Sequence, residues 1–310
     1  MSIRRRAATV ILVCSLSMAF SSCVVRRRLI VRKGSSAAQP PLQVADESSL
    51  LEEISRQYRA VRDFSATVDM VPALGSAEKS KITEYKDVRA YILFRHPADI
   101  RIIGLYPVVR NKAFDMTSDG ARFRLYIPSH DAFIEGANEM TKPSESKLEN
   151  LRPQHFVDAL LVRPVDQAAD RVVLENLTDE SGAFYILLAL REENGALRLR
   201  RAIWFNRVNL ELARQLIFDA AGNILTDARY SEWHPYDRVP FPKHVEINRP
   251  QDDYGVVIDV VKMEINKGVT DDKFVLQQPP GSKLRILGQP PAAPAGQMPA
   301  SSDKGKSIPE

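Results

Sequence analysis

The residue types that could support hydrolysis or metal binding are present, but their spacing favours neither chemistry. Ser129, His130 and Asp131 have the side chains of a hydrolase triad, yet adjacency in the sequence does not give triad geometry. The chain has neither a Gly-x-Ser-x-Gly nucleophile motif nor a phosphate-binding loop. The five histidines show no metal-ligand spacing: His96, His130, His155, His234 and His244. We therefore predict a protein that is not an enzyme and requires no metal or cofactor.

Cysteine chemistry instead indicates lipid modification near the N-terminus. The two cysteines, Cys14 and Cys23, allow no disulfide framework in the body of the chain. Three arginines, an apolar run over residues 7–20 and two serines precede Cys23. This pattern predicts a lipoprotein signal peptide over residues 1–22, with Cys23 lipidated. Two other interpretations stay open, namely an uncleaved anchor over residues 7–25 and an unmodified signal-peptide cysteine.

The charge balance argues against nucleic-acid binding. Of the 43 Lys and Arg residues, eight lie within residues 1–33, which leaves 35 basic residues against 39 acidic residues in the rest of the chain. A slightly acidic body does not indicate the basic surface patch that nucleic-acid-binding proteins have. The basic segment Arg26–Lys33 follows the proposed anchor and is expected either to contact anionic lipid headgroups or to serve as a solvated tether.

The rest of the chain is mainly a series of strands. Alternating apolar residues separated by turn residues, such as Asp119-Gly120, indicate β-hairpins. Two short helices are expected, over residues 49–64 with a Ser49–Glu52 capping box, and over 154–161 after Pro153. Strands are expected at 64–71, 88–95, 99–106, 112–117, 121–127, 132–136, 171–178, 183–191, 197–206, 211–219, 223–232, 240–248 and 255–265. Long strands in hairpin order predict one antiparallel sheet that is strongly curled or barrel-like.

The predicted elements divide the chain into four parts. They are a signal peptide (1–22), a lipidated N-terminus with a flexible basic tether (23–48), one folded domain (49–287), and a Pro- and Ala-rich disordered tail (288–310). Several strands of the domain are apolar on both faces, for example at Ile186–Leu190. A solvated antiparallel sheet should have one polar face, so the second face needs a cover or an apolar ligand. The alternative is a fully packed core without a cavity.

Four short motifs occur in a suggestive order: Arg95-His96-Pro97, Ile100-Arg101-Ile102, Ser118-Asp119-Gly120 and Tyr126-Ile127-Pro128. Together they resemble the LolA/LolB superfamily of periplasmic lipoprotein carriers and acceptors. The resemblance implies an incomplete barrel whose concave face, covered by helices, holds acyl chains. It also implies that the helix at 154–161 is part of a lid, although this helix could simply fill the core. The resemblance suggests a set of cavity or lid residues: Arg95, His96, Ile102, Tyr126, Phe156, Leu160 and Trp204.

One residue departs from this family pattern. LolA-like carriers often have arginine directly before the proline, where this chain has His96. Arg95 comes one residue earlier, and strand alternation points it to the other face. The departure argues against an energy-coupled release step and favours a structural role for His96.

The resulting functional expectation is a lipid-anchored protein on the periplasmic side of the outer membrane, rather than of the inner membrane. It would bind acyl chains of lipoproteins or phospholipids and transfer them to the membrane, with a periplasmic carrier protein as a further partner. The alternative is a non-catalytic envelope sensor or interaction module of the same fold. That alternative predicts a stable protein partner and no lipid.

Overall fold

The computed structural model describes residues 40–74, 83–84, 88–107, 111–139 and 151–287. The proposed signal peptide, Cys23, the basic segment and the C-terminal tail therefore lie outside the described residues. Within the described part of the chain, neither helix is long and apolar enough to cross a membrane. The compact unit that contains the sheet extends from Leu42 onward.

The described residues form two α-helices and fifteen strands. The helices are α1 (Glu47–Ala60) and α2 (Pro153–Leu160). The strands are β1 (Asp63–Leu74), β2 (Thr83–Glu84), β3 (Val88–Arg95), β4 (Asp99–Leu105), β5 (Lys112–Ser118), β6 (Arg122–Ile127), β7 (Ala132–Ala137), β8 (Asp170–Asp179), β9 (Gly182–Glu193), β10 (Ala196–Asn206), β11 (Leu212–Phe218), β12 (Ile224–Tyr236), β13 (Val239–Arg249), β14 (Tyr254–Ile265) and β15 (Lys283–Ile286).

All the strands belong to one sheet. Its order is β15-β7-β6-β5-β4-β3-β1-β14-β13-β12-β11-β10-β9-β8, and β2 pairs with β1. Every pairing is antiparallel except that of β15 with β7, which is parallel. The predicted class, a mainly β protein with one antiparallel sheet and few helices, is confirmed. The parallel edge strand is a difference from the expectation, and it arises because the chain returns along the outer face before it pairs with β7.

The two helices show that the sheet is curled. Helix α2 contacts β4, β5 and β12, and α1 contacts both β8 and β13. Five strand spacings separate β4 from β12 in the sheet, as they do β13 from β8, which is about 24 Å along a flat sheet. A helix is only ~10–12 Å across. The sheet must therefore curl around the helices, which cover its concave face, and β8 and β15 remain its two edges.

Helix α1 begins earlier than the sequence predicted. Its N-cap is Asp46, whose Oδ1 accepts a hydrogen bond from the Ser49 amide at 2.8 Å. The Ser49 hydroxyl in turn accepts from the Asp46 amide at 3.1 Å. The predicted Ser49–Glu52 capping box is therefore wrong. The predicted end at Phe64 is also wrong, because the Asn266 side chain binds the Ala60 carbonyl at 2.8 Å and the Arg62 amide at 2.7 Å where the chain leaves the helix.

Replacing Asp46 with alanine is expected to destabilise the protein by about 1 kcal/mol, because the first turn of α1 loses its side-chain acceptor. Urea unfolding monitored by circular dichroism measures the change. The matched control is Glu52→Ala, which removes the partner of the rejected capping box and should leave the free energy of unfolding nearly unchanged. A larger loss for Glu52→Ala than for Asp46→Ala would contradict the observed cap.

A C-terminal strap, defined here as residues 271–287, lies against the outer face of β3–β7. Arg101 donates to the carbonyls of Lys273 at 2.9 Å and Val275 at 3.3 Å. The Thr117 hydroxyl donates to the Phe274 carbonyl at 2.9 Å. The strap then supplies β15 beside β7. This strap covers part of the outer face of β4 and β5.

Candidate functional site: an apolar cavity

An apolar cavity of about 280 Å³ lies at one end of the concave face. It is enclosed by the ends of β1 and β4, the starts of β3, β5 and β14, the end of β6, and α2. Its lining comprises Met70, Pro72, Val88, Tyr106, Ala113, Phe114, Met116, Leu125, Ile127, Ser129, Leu151, Phe156, Tyr254, Gly255 and Val256. No member of this lining is charged. Tyr106 is the most exposed large apolar member, at 41%, and therefore lies at the mouth.

Strand alternation explains why the lining is free of charge. Along β6, Leu125 and Ile127 face the concave side and are buried, while Arg124 faces outward and pairs with Glu135 at 2.9 Å. Residues two apart on a strand share a face. The concave side of this hairpin therefore receives only apolar side chains, and the ion pairs lie on the outer side.

Gly104 keeps the cavity open. It lies opposite Phe114 in the β4–β5 pair, and a Cβ atom at this position would overlap the Phe114 ring. With hydrogen in place of a side chain, the ring can lie against the β4 backbone. A larger residue at Gly104 would displace the ring, and the free space beside it is the cavity.

Helix α2 is fixed to the sheet by hydrogen bonds to its last carbonyl groups. The Gln215 side-chain amide donates to the Asp158 carbonyl at 3.0 Å, and the buried Tyr230 hydroxyl donates to the Ala159 carbonyl at 2.7 Å. Burial raises the pKa of Tyr230, so the phenol stays protonated and remains a donor. These bonds satisfy carbonyls that a helix end leaves without intrahelical partners. Phe156 is therefore held in the lining.

A half-buried arginine supports the same helix end. Arg201 donates to the Arg163 carbonyl at 2.8 Å and to the Gln215 side-chain oxygen at 2.7 Å. Burial lowers the pKa of Arg201 to about 10, which still leaves the guanidinium charged at neutral pH. The charge is thus placed at the α2 C-terminus, where a cation is favourable.

A polar cluster lies behind the cavity wall. His155 Nδ1 is 2.8 Å from the Tyr254 hydroxyl, and Arg249 lies 3.0 Å from His155 Nε2. Burial, with the charges of Arg249 and Arg152, lowers the pKa of His155 well below its usual value, so the imidazole is neutral. Arg249 also pairs with Asp252 at 2.7 Å. The Tyr254 ring lines the cavity while its hydroxyl contacts this cluster.

The structure places Arg95 and His96 away from the cavity. Val88 lines the cavity at the start of β3, and Arg95 lies seven residues further along the strand, about 23 Å away. Arg95 pairs with Asp99 at 2.7 Å and with Asp271 of the strap at 2.5 Å. His96 Nε2 lies 3.2 Å from the Tyr58 carbonyl. Both residues contact structural elements at the opposite end of the sheet.

Tyr126 and Trp204 lie on the outer face. Tyr126 borders a hollow with Arg101 and Asp115. It faces outward because it is two residues from the outward-facing Arg124 on β6. Trp204 belongs to a separate apolar cluster on β8–β12, and the Arg214 guanidinium lies 5.3 Å from its ring centroid. Neither residue contributes to the concave cavity.

The other three predicted residues are in the concave core. Ile102 is fully buried beside Met116, and it packs near the cavity without lining it. Leu160 borders a second hollow of about 30 Å³ together with Tyr58 of α1. Phe156 alone of the predicted set lines the cavity.

Most of the lining was missed by the sequence prediction. The alternation in β6 indicates that Leu125 and Ile127 face inward, but alternation cannot show which end of a strand leaves space unfilled. The signal that could have located that end is the single glycine in the apolar β4 run, at Gly104, because an inward glycine in a strand often marks a close approach.

No family model and no curated protein matches the chain. The structure is similar to a LolA superfamily protein from Nitrosomonas europaea (14% identity, covering 75% of this chain and 99% of that chain, TM-score 0.49). It is also similar to a DUF1329 family protein from Desulfovibrio piger (15% identity, 74% and 96%, TM-score 0.49). A third similar structure is a domain from Vibrio parahaemolyticus named for outer membrane lipoprotein sorting (9% identity, 73% and 94%, TM-score 0.46). These likenesses concern the fold.

Proposed function

We propose that the protein binds a hydrocarbon chain of a lipid or lipoprotein in the concave cavity. The observation that carries the proposal is the charge-free lining of a space of about 280 Å³. An engineered apolar cavity of ~150 Å³ stays dry and binds benzene, so this space is suited to a hydrocarbon segment of roughly ten carbons. Each buried methylene contributes about 0.8 kcal/mol, and such binding requires no catalytic group.

The lining also determines how the ligand enters. It offers no cation, and transfer of an unpaired charge into such a site is costly. The hydrocarbon end of the ligand therefore enters the cavity, and its polar end stays at the mouth near Tyr106 and Ser129. The proposed cargo is the acyl chain of a phospholipid or an acylated protein.

We also propose that the chain is a periplasmic lipoprotein anchored through Cys23, and that it delivers its cargo to the outer membrane, with a periplasmic carrier protein as the donor. The residues before Cys23 and the basic segment after it support this assignment. Intact-mass analysis of the mature chain tests it. A diacylglycerol mass on an N-terminal Cys23 would support the anchor, and an unmodified chain would contradict it.

Native mass spectrometry tests the cargo. A chain that starts at Gly34 keeps the whole compact unit and can be purified from bacterial cells without detergent. The expected result is a co-purified mass equal to a phospholipid or an acylated peptide. A bare protein that also fails to take up added pyrene-labelled phosphatidylglycerol would contradict the proposal. That outcome would favour the interaction-module alternative, which requires a protein partner instead.

A further inference from the structure

The two edges of the sheet differ in length and in protection. At one end β15 is four residues long and pairs in parallel with β7. At the other end β8 is ten residues long and pairs with β9 in continuous register without a bulge. Short, irregular edges resist pairing with another chain, whereas long regular edges invite it. β8 has no proline to block its backbone groups.

The N-terminal half of β8 has a self-complementary pattern. They read Arg171-Val172-Val173-Leu174-Glu175, with the two charges at equal distances from Val173. Arg171 and Glu175 are exposed, and Val173 is 50% exposed. By parity all three lie on the outer face of the sheet.

We propose that β8 is a dimer interface, and that it pairs antiparallel with β8 of a second copy about a two-fold axis at Val173. In this register each Arg171 lies directly opposite Glu175 of the other copy, and the two Val173 side chains meet. Val172 lies opposite Leu174 on the inner face. Cross-strand pairs of opposite charge and of β-branched residues stabilise antiparallel sheets.

A two-fold axis makes the same strand serve both subunits, as isologous dimers require. A register with the axis at Glu175 is less favourable, because two glutamates would lie directly opposite each other. Like charges directly opposite are destabilising. Arg171 is free to turn to the second copy, because its present contact with Glu192 is long, at 3.4 Å, and exposed.

The apolar cluster around Trp204 borders the same edge. Leu188 of this cluster lies on β9 directly opposite Val173 of β8, and no described helix covers the outer face here. Pairing of two copies through β8 would join the two clusters across the new strand pair, which extends the apolar contact beyond the edge itself.

Disulfide trapping of the full chain tests the register. On the proposed axis the Cα atoms of residue 173 in the two copies would be about 4.5–5.5 Å apart, within the range for a disulfide. Val173→Cys is therefore expected to give a covalent dimer under copper–phenanthroline and air, with oxygen as the oxidant. The controls are the wild-type chain, which reports Cys14 and Cys23, and Leu197→Cys, whose parent residue is 51% exposed. A dimer yield for Val173→Cys no higher than for these controls would overturn the proposal.

A charge-exchange experiment tests the pairing without cysteine. Arg171→Glu alone or Glu175→Arg alone places like charges opposite each other in a homodimer, so each variant should dimerise several-fold more weakly than the wild type. A mixture of the two variants restores both opposite-charge pairs. Differently tagged copies should therefore be captured together from the mixture and not from either variant alone. Equal capture in all combinations would overturn the proposal, and unchanged circular dichroism of the single variants confirms that they are folded.

Discussion

Replacing Asp115 with asparagine is expected to destabilise the fold by about 3 kcal/mol, because removal of one partner from a buried ion pair leaves the other charge uncompensated. Asp115 is fully buried, and its carboxylate accepts two bonds from Arg101, both at 2.9 Å, and one from Lys112 at 2.7 Å. Arg101 also holds the strap through two carbonyls. The variant should therefore loosen residues 271–276 as well as the β4–β5 pair.

The matched control for this prediction is Asp69→Asn. Asp69 forms the same two-bond pair with Arg89 across neighbouring strands, but both side chains are well exposed. Exposed pairs of this kind contribute only ~0–1 kcal/mol. Guanidinium unfolding of both variants measures the difference. If Asp69→Asn and Asp115→Asn lower the free energy of unfolding equally, burial does not determine the strength of the Asp115 pair.

The same pair sets a pH dependence. Burial alone would raise the pKa of Asp115, but the hydrogen bonds and charges of Arg101 and Lys112 outweigh burial and hold this pKa below its usual value. A carboxyl with a lowered folded-state pKa stabilises the fold above its unfolded pKa of about 3.9, and the contribution is lost as the pH falls through the folded value. The stability difference between wild type and Asp115→Asn should therefore be constant from about pH 7 to 5 and shrink below about pH 4.

The strands and their arrangement in one sheet could be predicted from the sequence, because the features that define the strands are local. Turn residues such as Asp119-Gly120 separate alternating runs, and the strands lie where those runs occur. The predicted limits of α1 were wrong. The start depends on Asp46, which precedes the apolar residues of the helix, and the end depends on Asn266, which is 206 residues away from Ala60 in the sequence. Distant contacts of this kind leave no periodic signal in the sequence.

The sequence alone predicted the cavity only indirectly. It showed strands that are apolar on both faces, and such strands require a cover or an apolar ligand. Tyr126 could have been assigned to the outer face, since it shares its parity with Arg122 and Arg124 on β6. Trp204 could not, because both faces of its strand are apolar, and only the structure separates Ala202 and Trp204 on the outer side from Ile203 on the inner side. The volume itself arises from packing between strands that are far apart in the sequence.

Ala113→Trp is expected to reduce lipid uptake at least tenfold, because it places a large ring in the cavity. Ala113 is the extra residue at a bulge between β4 and β5 and lines the cavity without being fully buried. Its enlargement should therefore cost less than the ~1–3 kcal/mol of overpacking a filled core. A glutamate at Phe156 or Leu160 would test the cavity less cleanly. Both residues are buried, so the glutamate would introduce an unpaired buried charge.

The control for Ala113→Trp is Ala137→Trp, which adds the same ring to an exposed position on β7 and should bind pyrene-labelled phosphatidylglycerol as the wild type does. The complementary variant, Phe114→Ala, removes a ring from the lining and should shift the preference toward longer acyl chains. A single substitution could change both the volume of the cavity and the stability of its walls. The variants together distinguish these two effects. If Ala113→Trp takes up lipid with wild-type affinity while remaining folded, the acyl chain binds elsewhere on the sheet.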